Sequence, residues 1–205
     1  MKKTVLNFLF VVLLITALVT TGCISTTAEA LTATTVQPAA VQEPVQALPE
    51  VPQVTEVPYS SSEILFEYSN NTTNAIVAMQ YLNGTVLQPW EIFSFNQVIG
   101  KRTLARHFIT GKDINNNDSV GGGVCRLATL IYQTARLGGF NIVERWPHSK
   151  SVHYAKKGWD ATVQYGSLDF SFQNNGYYPI KIYASSTPQE NGVLLKVSIV
   201  CLVNN

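Results

Sequence analysis

Three consecutive glycines directly before an amphipathic helix constrain the fold more than any other feature of the sequence. Gly121-Gly122-Gly123 precede a helical pattern over residues 124–137, and Gly138-Gly139 end it. Short alternating apolar runs then follow one another, several of them separated by Asn-Gly turns. Strands joined by tight turns pair antiparallel. The sequence therefore predicts an α+β fold, in which the glycine-led helix is followed by an antiparallel β meander.

The other predicted elements flank this helix. Residues 70–83 have helical spacing and a candidate N-cap in Asn71 or Thr72. Residues 101–119 are polar and predict mostly loop. Alternation of apolar and polar residues predicts strands over residues 91–99, 141–145, 151–155, 161–165, 168–172, 180–184 and 193–199, with 151–155 and 161–165 pairing.

The N-terminus has the pattern of an export signal. Lys2 and Lys3 precede an apolar run over residues 6–19, and Gly22 stands directly before Cys23. This order predicts a lipoprotein-type signal peptide over residues 1–22 and lipidation of Cys23. The alternatives are a simple cleaved signal or an uncleaved anchor helix with an incidental cysteine.

A proline-rich segment follows the predicted lipidation site. Five prolines between residues 24 and 58 favour extended backbone, so residues 23–59 are predicted to be a disordered tether and residues 60–205 the folded domain. A lipid anchor followed by a tether would place the domain at the extracytoplasmic face of the bacterial membrane. The membrane is thus the first predicted partner.

Charge and cysteine spacing argue against nucleic-acid binding and against a metal site. The formal net charge of +1 and the absence of a basic stripe argue against nucleic-acid binding. Cys23, Cys125 and Cys201 lack the spacing of metal ligands, so the sequence predicts no metal site and no cofactor.

Cys125 is the candidate nucleophile. It lies in the first helical turn, away from the face that carries Leu127, Leu130 and Ile131. Free backbone N–H groups and the helix dipole at this end are expected to lower the pKa of the thiol. The glycines Gly121, Gly122 and Gly123 are expected to admit a substrate backbone and to offer N–H groups to an oxyanion.

His148 is the candidate base and Asp160 the group that orients it. His153 is the rival base, with opposite strand parity. Cysteine on a helix N-terminus, then histidine, then aspartate is also the order found in papain- and transglutaminase-like hydrolases. Arg126 and Trp159 are further candidate binding residues, and Trp90 and Trp146 are candidates to line a groove with Trp159.

Structural explanations of the same residues remain open. Cys125 is equally compatible with a small buried thiol beneath Tyr132, or with a disulfide to Cys201 after export. His148 is compatible with a hydrogen bond to a loop carbonyl, and Asp160 with a turn cap.

Six ordered segments together resemble the VanW family, named for an accessory protein of glycopeptide resistance. They are Asn83-Gly84-Thr85-Val86-Leu87 with Pro89; Phe93-Ser94-Phe95-Asn96 with Ile99-Gly100; Gly121-Gly122-Gly123-Val124-Cys125 with Thr129 and Tyr132; Glu144-Arg145 with Pro147-His148-Ser149; Gly158 with Asp160-Ala161-Thr162-Val163; and residues 170–182 with Asn174 and Pro179-Ile180. Departures are Trp90 for a usual Gly, Arg126 for Gln, Ala128 for Ser and Trp146 for His. His153 falls at a position that is not reliably His in the family, which favours His148 as the base.

The resemblance implies a protein of the cell envelope with a link to peptidoglycan, but it supplies no reaction. Two hypotheses follow. In the first, Cys125, His148 and Asp160 form a hydrolase or acyltransferase for cell-wall peptide amides. In the second, the domain binds peptidoglycan, its peptide stems or a glycopeptide without catalysis.

Overall fold

A computed structural model describes residues 53–204 of the chain. The predicted signal peptide, Cys23 and the tether up to residue 52 lie outside the described residues. The described part contains strands β1 (Val54–Phe66), β2 (Val86–Leu87), β3 (Ile92–Ser94), β4 (Thr110–Lys112), β5 (Asp118–Val120), β6 (Asn141–Glu144), β7 (Ser171–Gln173), β8 (Ile180–Gln189) and β9 (Gly192–Asn204), and helices α1 (Asn70–Leu82), α2 (Phe95–Ile99) and α3 (Cys125–Leu137).

The strands form three antiparallel sheets. The largest has the order β1-β9-β8-β2, the second has the order β3-β7-β6, and β4 and β5 form a separate hairpin. Every ladder is antiparallel, and four of the nine described strands, β6 to β9, follow the glycine-led helix. The predicted α+β class is therefore confirmed.

Strand β1 corrects the predicted boundary between tether and domain. It begins at Val54, so the boundary at residue 60 falls inside a strand that pairs with β9 along its length. The sequence assigns Pro58 to the tether because prolines favour extended backbone, and a proline also lacks the N–H group that a strand ladder uses. It is tolerated because β1 is the edge strand, and the register shifts between Pro58 and Ser60.

Two local predictions fail where a serine caps a helix. The strand predicted over residues 91–99 stops at Ser94, whose Oγ accepts the Gln97 N–H at 3.1 Å and starts α2. Helix α1 is capped by Ser69 rather than by Asn71 or Thr72.

Two further predictions fail because the pairing partners differ. The polar region 101–119 contains a 3₁₀ turn at Leu104–Arg106 and the β4–β5 hairpin. Residues 151–155 and 161–165 do not form a strand pair; single bridges join Trp146 to Thr162 and Gln164 to Leu168 instead.

Helix α3 lies at the centre of the domain. Its residues from Arg126 to Tyr132 are all buried, and so are Thr134 and Ala135. Ser62 of β1 donates from Oγ to the Leu130 carbonyl at 3.0 Å, which ties one face of the helix to the large sheet. A helix buried on nearly all sides holds its first turn in a fixed position. Within residues 53–204, no helix has the length and apolarity that crossing a membrane requires.

Candidate functional site

A cleft of about 710 Å³ opens at the N-terminus of α3. One wall is the tip of the β4–β5 hairpin, and the other is the irregular segment around residues 148–154. The predicted site residues that line it are Gly121, Gly122, Gly123, Cys125, Arg126 and His148. The structure thus brings the candidate nucleophile and the candidate base to one cavity.

The segment Gly158 to Val163 runs along α3 in the opposite direction and hydrogen-bonds to it at successive turns. The Cys125 thiol contacts both the N–H and the carbonyl of Val163 at 3.5 Å. One turn later, Thr129 Oγ1 accepts the Ala161 N–H at 3.0 Å, and Tyr132 then donates to the Gly158 carbonyl at 3.1 Å. Because these three helix residues share one face, the segment is held at each turn.

This segment delivers Asp160 to His148. Asp160 Oδ2 accepts both the backbone N–H of His148 and its ring Nδ1, each at 2.7 Å. Asp160 Oδ1 accepts Arg145 Nη2 at 2.8 Å. Burial disfavours the charged carboxylate, but these donors outweigh it and hold the pKa of Asp160 below its usual value. An ionised Asp160 fixes the proton on Nδ1 and leaves Nε2 as the acceptor.

The other hydrogen bond of a catalytic triad, from nucleophile to base, is absent among the described residues: none joins Cys125 to His148. The ring nitrogen Nε2 instead faces the Tyr154 hydroxyl at 3.5 Å. Burial raises the pKa of Tyr154 strongly, with the nearby Cys125 adding to the effect, so the phenol stays protonated. Tyr154 therefore occupies the acceptor side of His148 in this structure.

The expected low pKa of Cys125 is wrong. Burial raises the pKa of the thiol, and this effect exceeds the opposing effects of the Val163 N–H, the Arg102 guanidinium and the N–H of Cys125 itself. The sequence argument counted the helix N-terminus but not the loss of water around the sulfur. The raised pKa favours the neutral thiol of Cys125.

The glycines also play a different part from the one expected. The N–H groups of Gly121 and Gly122 donate to the carbonyls of Ile109 and Ser119, both at 3.0 Å, and are not free for an oxyanion. A Cβ on Gly123 would lie 2.5 Å from Asn71 Cα, and one on Gly122 would lie 2.6 Å from the Gly111 carbonyl carbon. Close approach of the main chain therefore requires glycine at 122 and 123, whereas Gly121 has φ +81° and an added Cβ there would lie 2.5 Å from Arg102 Cβ.

Two candidate binding residues are engaged elsewhere. Arg126 is buried; it pairs with Glu67 through Nη2 and donates from Nη1 to Thr72 Oγ1 at 2.8 Å. Arg126 thus binds a carboxylate of the protein itself, that of Glu67. Trp159 does not line the cleft, because its ring lies under the Arg136 guanidinium at 4.0 Å. Trp90 and Trp146 do not line it either, so an aromatic groove at this site is not formed.

The remaining alternatives are settled by position. Cys125 and Cys201 are both free thiols, and Cys201 lies on β9 opposite Val57 and Ile180. His153 is on the cleft rim with its side chain 71% exposed and Nε2 3.7 Å from Glu67 Oε2. It lacks the buried aspartate that His148 has. Residues 53–204 contain no group of three or more His, Cys, Asp or Glu side chains suited to a metal ion.

Sequence reasoning assigned no role in the site to three contributors: Thr129, Arg145 and Tyr154. Thr129 had a usable signal, because it follows Cys125 by one helical turn on the same face. Arg145 and Tyr154 lie on irregular backbone, where no periodicity indicates which way a side chain points.

Comparison with known proteins identifies the family. The model of the family described as "VanW like protein" matches residues 70–197. This chain belongs to the VanW-like family. The match includes Cys125, His148, Asp160 and the whole Gly158 to Val163 segment. The resemblance found in the sequence is therefore confirmed.

Two relatives show how similar this chain is to other proteins of this kind. "Uncharacterized protein YoaR" of Bacillus subtilis is 34% identical over 154 residues, which is 66% of this chain and 51% of the relative. "Vancomycin B-type resistance protein VanW" of Enterococcus faecalis is 26% identical over 116 residues, 52% of this chain and 42% of the relative. The chain thus spans about half the length of the curated relatives it matches. No solved structure matches it.

Proposed function

We propose that this VanW-like protein is a cysteine-dependent hydrolase or acyltransferase that acts on peptide amides of the bacterial cell wall. The observation that carries the proposal is the placement of Cys125 and His148 on one cleft, with His148 Nδ1 held 2.7 Å from the buried Asp160. A base oriented by a carboxylate beside a helix-terminal thiol is the arrangement that nucleophilic catalysis uses.

The chemistry follows from these groups. His148 Nε2 takes the proton of the Cys125 thiol, and the sulfur attacks the amide carbonyl carbon to form a C–S bond. His148 then gives that proton to the leaving nitrogen as the C–N bond breaks, which leaves a thioester on Cys125. Water attacks the thioester in hydrolysis and an acceptor amine attacks it in transfer. The attacking water or amine gives a proton of its own to His148, and His148 passes this proton to the sulfur as the C–S bond breaks. Asp160 stabilises the imidazolium in both steps.

The reaction requires Cys125 and His148 to come into contact. Catalytic hydrogen bonds are often long without substrate and tighten when it binds. Tyr154 is the side chain that lies against His148 Nε2, and residues 149–157 form no helix or strand. A bound peptide is expected to displace the Tyr154 hydroxyl and to let the imidazole reach the sulfur.

The substrate class rests on two supports. A cleft of about 710 Å³ with polar walls is large enough for a short peptide. The Enterococcus relative carries vancomycin resistance in its name. Peptide stems of peptidoglycan are the proposed partner.

Soluble muropeptides released by a muramidase test this proposal with the full chain in detergent. We expect wild-type protein to cleave or exchange an amide bond, seen by mass spectrometry of the products. Cys125→Ala and His148→Ala should each lower the rate by at least about 100-fold, because proton transfer and nucleophilic attack are both lost. Cys201→Ala removes a thiol outside the cleft and is expected to keep the wild-type rate.

Two outcomes would contradict the proposed enzymatic activity. One is the absence of any product with wild-type protein on muropeptides of several compositions. The other is an unchanged rate in Cys125→Ala.

We also propose that the protein is held at the extracytoplasmic face of the membrane by lipid on Cys23. The order of basic residues, apolar run and Gly22-Cys23 supports this anchor. Wild-type protein should fractionate with bacterial membranes, and Cys23→Ser should not carry the lipid mass. Cys201→Ser is the matched control. Retention of Cys23→Ser in the membrane with an uncleaved signal would show an anchor helix instead.

A binding role without catalysis is the second candidate. The observation that favours it is the engagement of the Cys125 thiol by Val163 on both sides, with no bond to His148. In that case the domain should sediment with purified cell wall, and Cys125→Ser and His148→Ala should sediment equally well.

A further inference from the structure

The proposed reaction needs hydrogen-bond donors for an oxyanion. When a sulfur attacks an amide, the carbonyl oxygen becomes negative, and enzymes place donors at that point. The N–H groups of Gly121 and Gly122 already donate to main-chain carbonyls. Within residues 53–204, no backbone carbonyl accepts the Cys125 N–H, which remains available beside the sulfur. The glycine segment thus offers fewer donors than its sequence predicts.

The Tyr154 hydroxyl lies where a further donor is needed. It is 3.5 Å from His148 Nε2, and it also contacts Thr129, which follows Cys125 by one turn on the same face of α3. Tyr154, His148 and Cys125 all line the cleft. Because Nε2 has to reach the sulfur during the reaction, the hydroxyl beside Nε2 lies close to the carbonyl that the sulfur attacks.

Neighbouring side chains support the Tyr154 ring. Its centroid lies 5.4 Å from that of Phe66, in an edge-to-face contact, and 5.3 Å from that of His153. The guanidinium carbon of Arg126 lies 5.8 Å from the same ring. Phe66 and Arg126 are both buried. The ring therefore rests on fixed side chains, and a small shift suffices to turn its hydroxyl from one acceptor to another.

The acceptor on His148 exists only until the base takes a proton. Asp160 accepts the Nδ1 proton, so Nε2 carries a lone pair and the Tyr154 phenol donates to it. Burial raises the pKa of Tyr154, and the phenol keeps its proton throughout. Once Nε2 has taken the Cys125 proton, it can no longer accept a hydrogen bond. The proton transfer that forms the thiolate therefore also releases the Tyr154 donor.

We propose that Tyr154 donates a hydrogen bond to the oxyanion of the tetrahedral intermediate, with the Cys125 N–H as the second donor. The O–H bond of Tyr154 stays intact. The carbonyl oxygen gains its negative charge as the C–S bond forms and loses it as the C–N bond breaks. This role rests on the proposed function, since it needs a tetrahedral intermediate on Cys125, and it adds a catalytic residue to the same site.

Tyr154→Phe removes the hydroxyl and keeps the ring. With muropeptides and the full chain in detergent, we expect kcat to fall by about 100- to 1000-fold, the usual loss for one oxyanion donor, and KM to stay within about threefold. Alkylation of Cys125 by iodoacetamide should be at least as fast as in wild type, because Nε2 loses the contact that occupies it. A loss of alkylation together with turnover would mean a structural role and overturn the proposal.

Tyr177→Phe is the matched control, because Tyr177 is 85% exposed and lies outside the cleft. Its kcat and its rate of Cys125 alkylation should both equal those of wild type. An equal kcat in Tyr154→Phe and wild type would overturn the role of Tyr154 and leave the proposed enzyme standing.

A peptide aldehyde separates failure of this role from failure of the proposed enzyme. Acetyl-alanyl-alaninal adds to the Cys125 thiol as a tetrahedral hemithioacetal, which requires no amide cleavage. Protection of Cys125 against iodoacetamide should need at least about tenfold more aldehyde in Tyr154→Phe than in wild type. This result without any muropeptide turnover would support the donor and contradict the enzyme. Equal protection in the two proteins, or none in either, would overturn the role of Tyr154.

Discussion

Gly123→Ala should destabilise the domain by about 3–5 kcal/mol, since a left-handed residue and an overpacked backbone contact act together. Gly123 has φ +102°, and an added Cβ would lie 2.5 Å from Asn71 Cα. The obstacle is the main chain at the start of α1, which has no rotamer that relieves it. Helices α1 and α3 would have to move apart at the cleft.

Urea unfolding measures this loss, and Gly139→Ala separates its two causes. Gly139 also has a positive φ, +69°, but nothing lies within 4 Å of an added Cβ. The strain of the backbone conformation alone should cost about 1–2 kcal/mol there. Equal losses in the two variants would mean that the contact with Asn71 is not rigid.

Asp160→Asn should be the second severe substitution, with a loss of about 3–5 kcal/mol at neutral pH, typical of a broken buried ion pair. Asn offers one acceptor oxygen where Asp160 now accepts Arg145 and the two nitrogens of His148. Its amide group would meet another donor. Asp118→Asn, which breaks an exposed pair with Lys112, should cost less than about 1 kcal/mol.

The effect of Asp160 depends on pH in a fixed direction. Its pKa is lowered in the folded state, so its contribution is complete above the unfolded value of about 3.9 and is lost as pH falls through the folded value. Unfolding at pH 7 and at pH 3 should therefore show a smaller difference between wild type and Asp160→Asn in acid. A difference independent of pH would show that Asp160 is not charged in the folded protein.

The sequence predicted the parts of the fold that repeat a local pattern. Helix α3, strands β8 and β9, and the α+β class follow from periodicity and turn residues, which depend on neighbours in the chain. The failures at residues 91–99 and 151–165 have the opposite cause. There, hydrogen bonds to distant segments, such as Asp169 to the N–H of Asn96, decide the backbone.

The sequence selected residues that the structure brings close together, but it did not predict their electrostatics. Cys125, His148 and Asp160 were chosen for their chemistry, and the structure brings the latter two into contact and the first to the same cleft. The pKa of Cys125 depends on burial by groups distant in sequence, which no local pattern records.

The segment Gly158 to Val163 is hydrogen-bonded to α3 turn by turn, whereas the outer walls of the cleft lie beyond these bonds. Cys125 is part of α3, and Asp160 is held against the same helix by the hydrogen bonds of the neighbouring Ala161 and of Val163. Residues 149–157 form no helix or strand, and the Tyr154 side chain joins them to α3 through contacts with Arg126 and Thr129. Substitutions in these outer walls can therefore change the shape of the cleft while the Cys125 sulfur and the Asp160 carboxylate keep their separation.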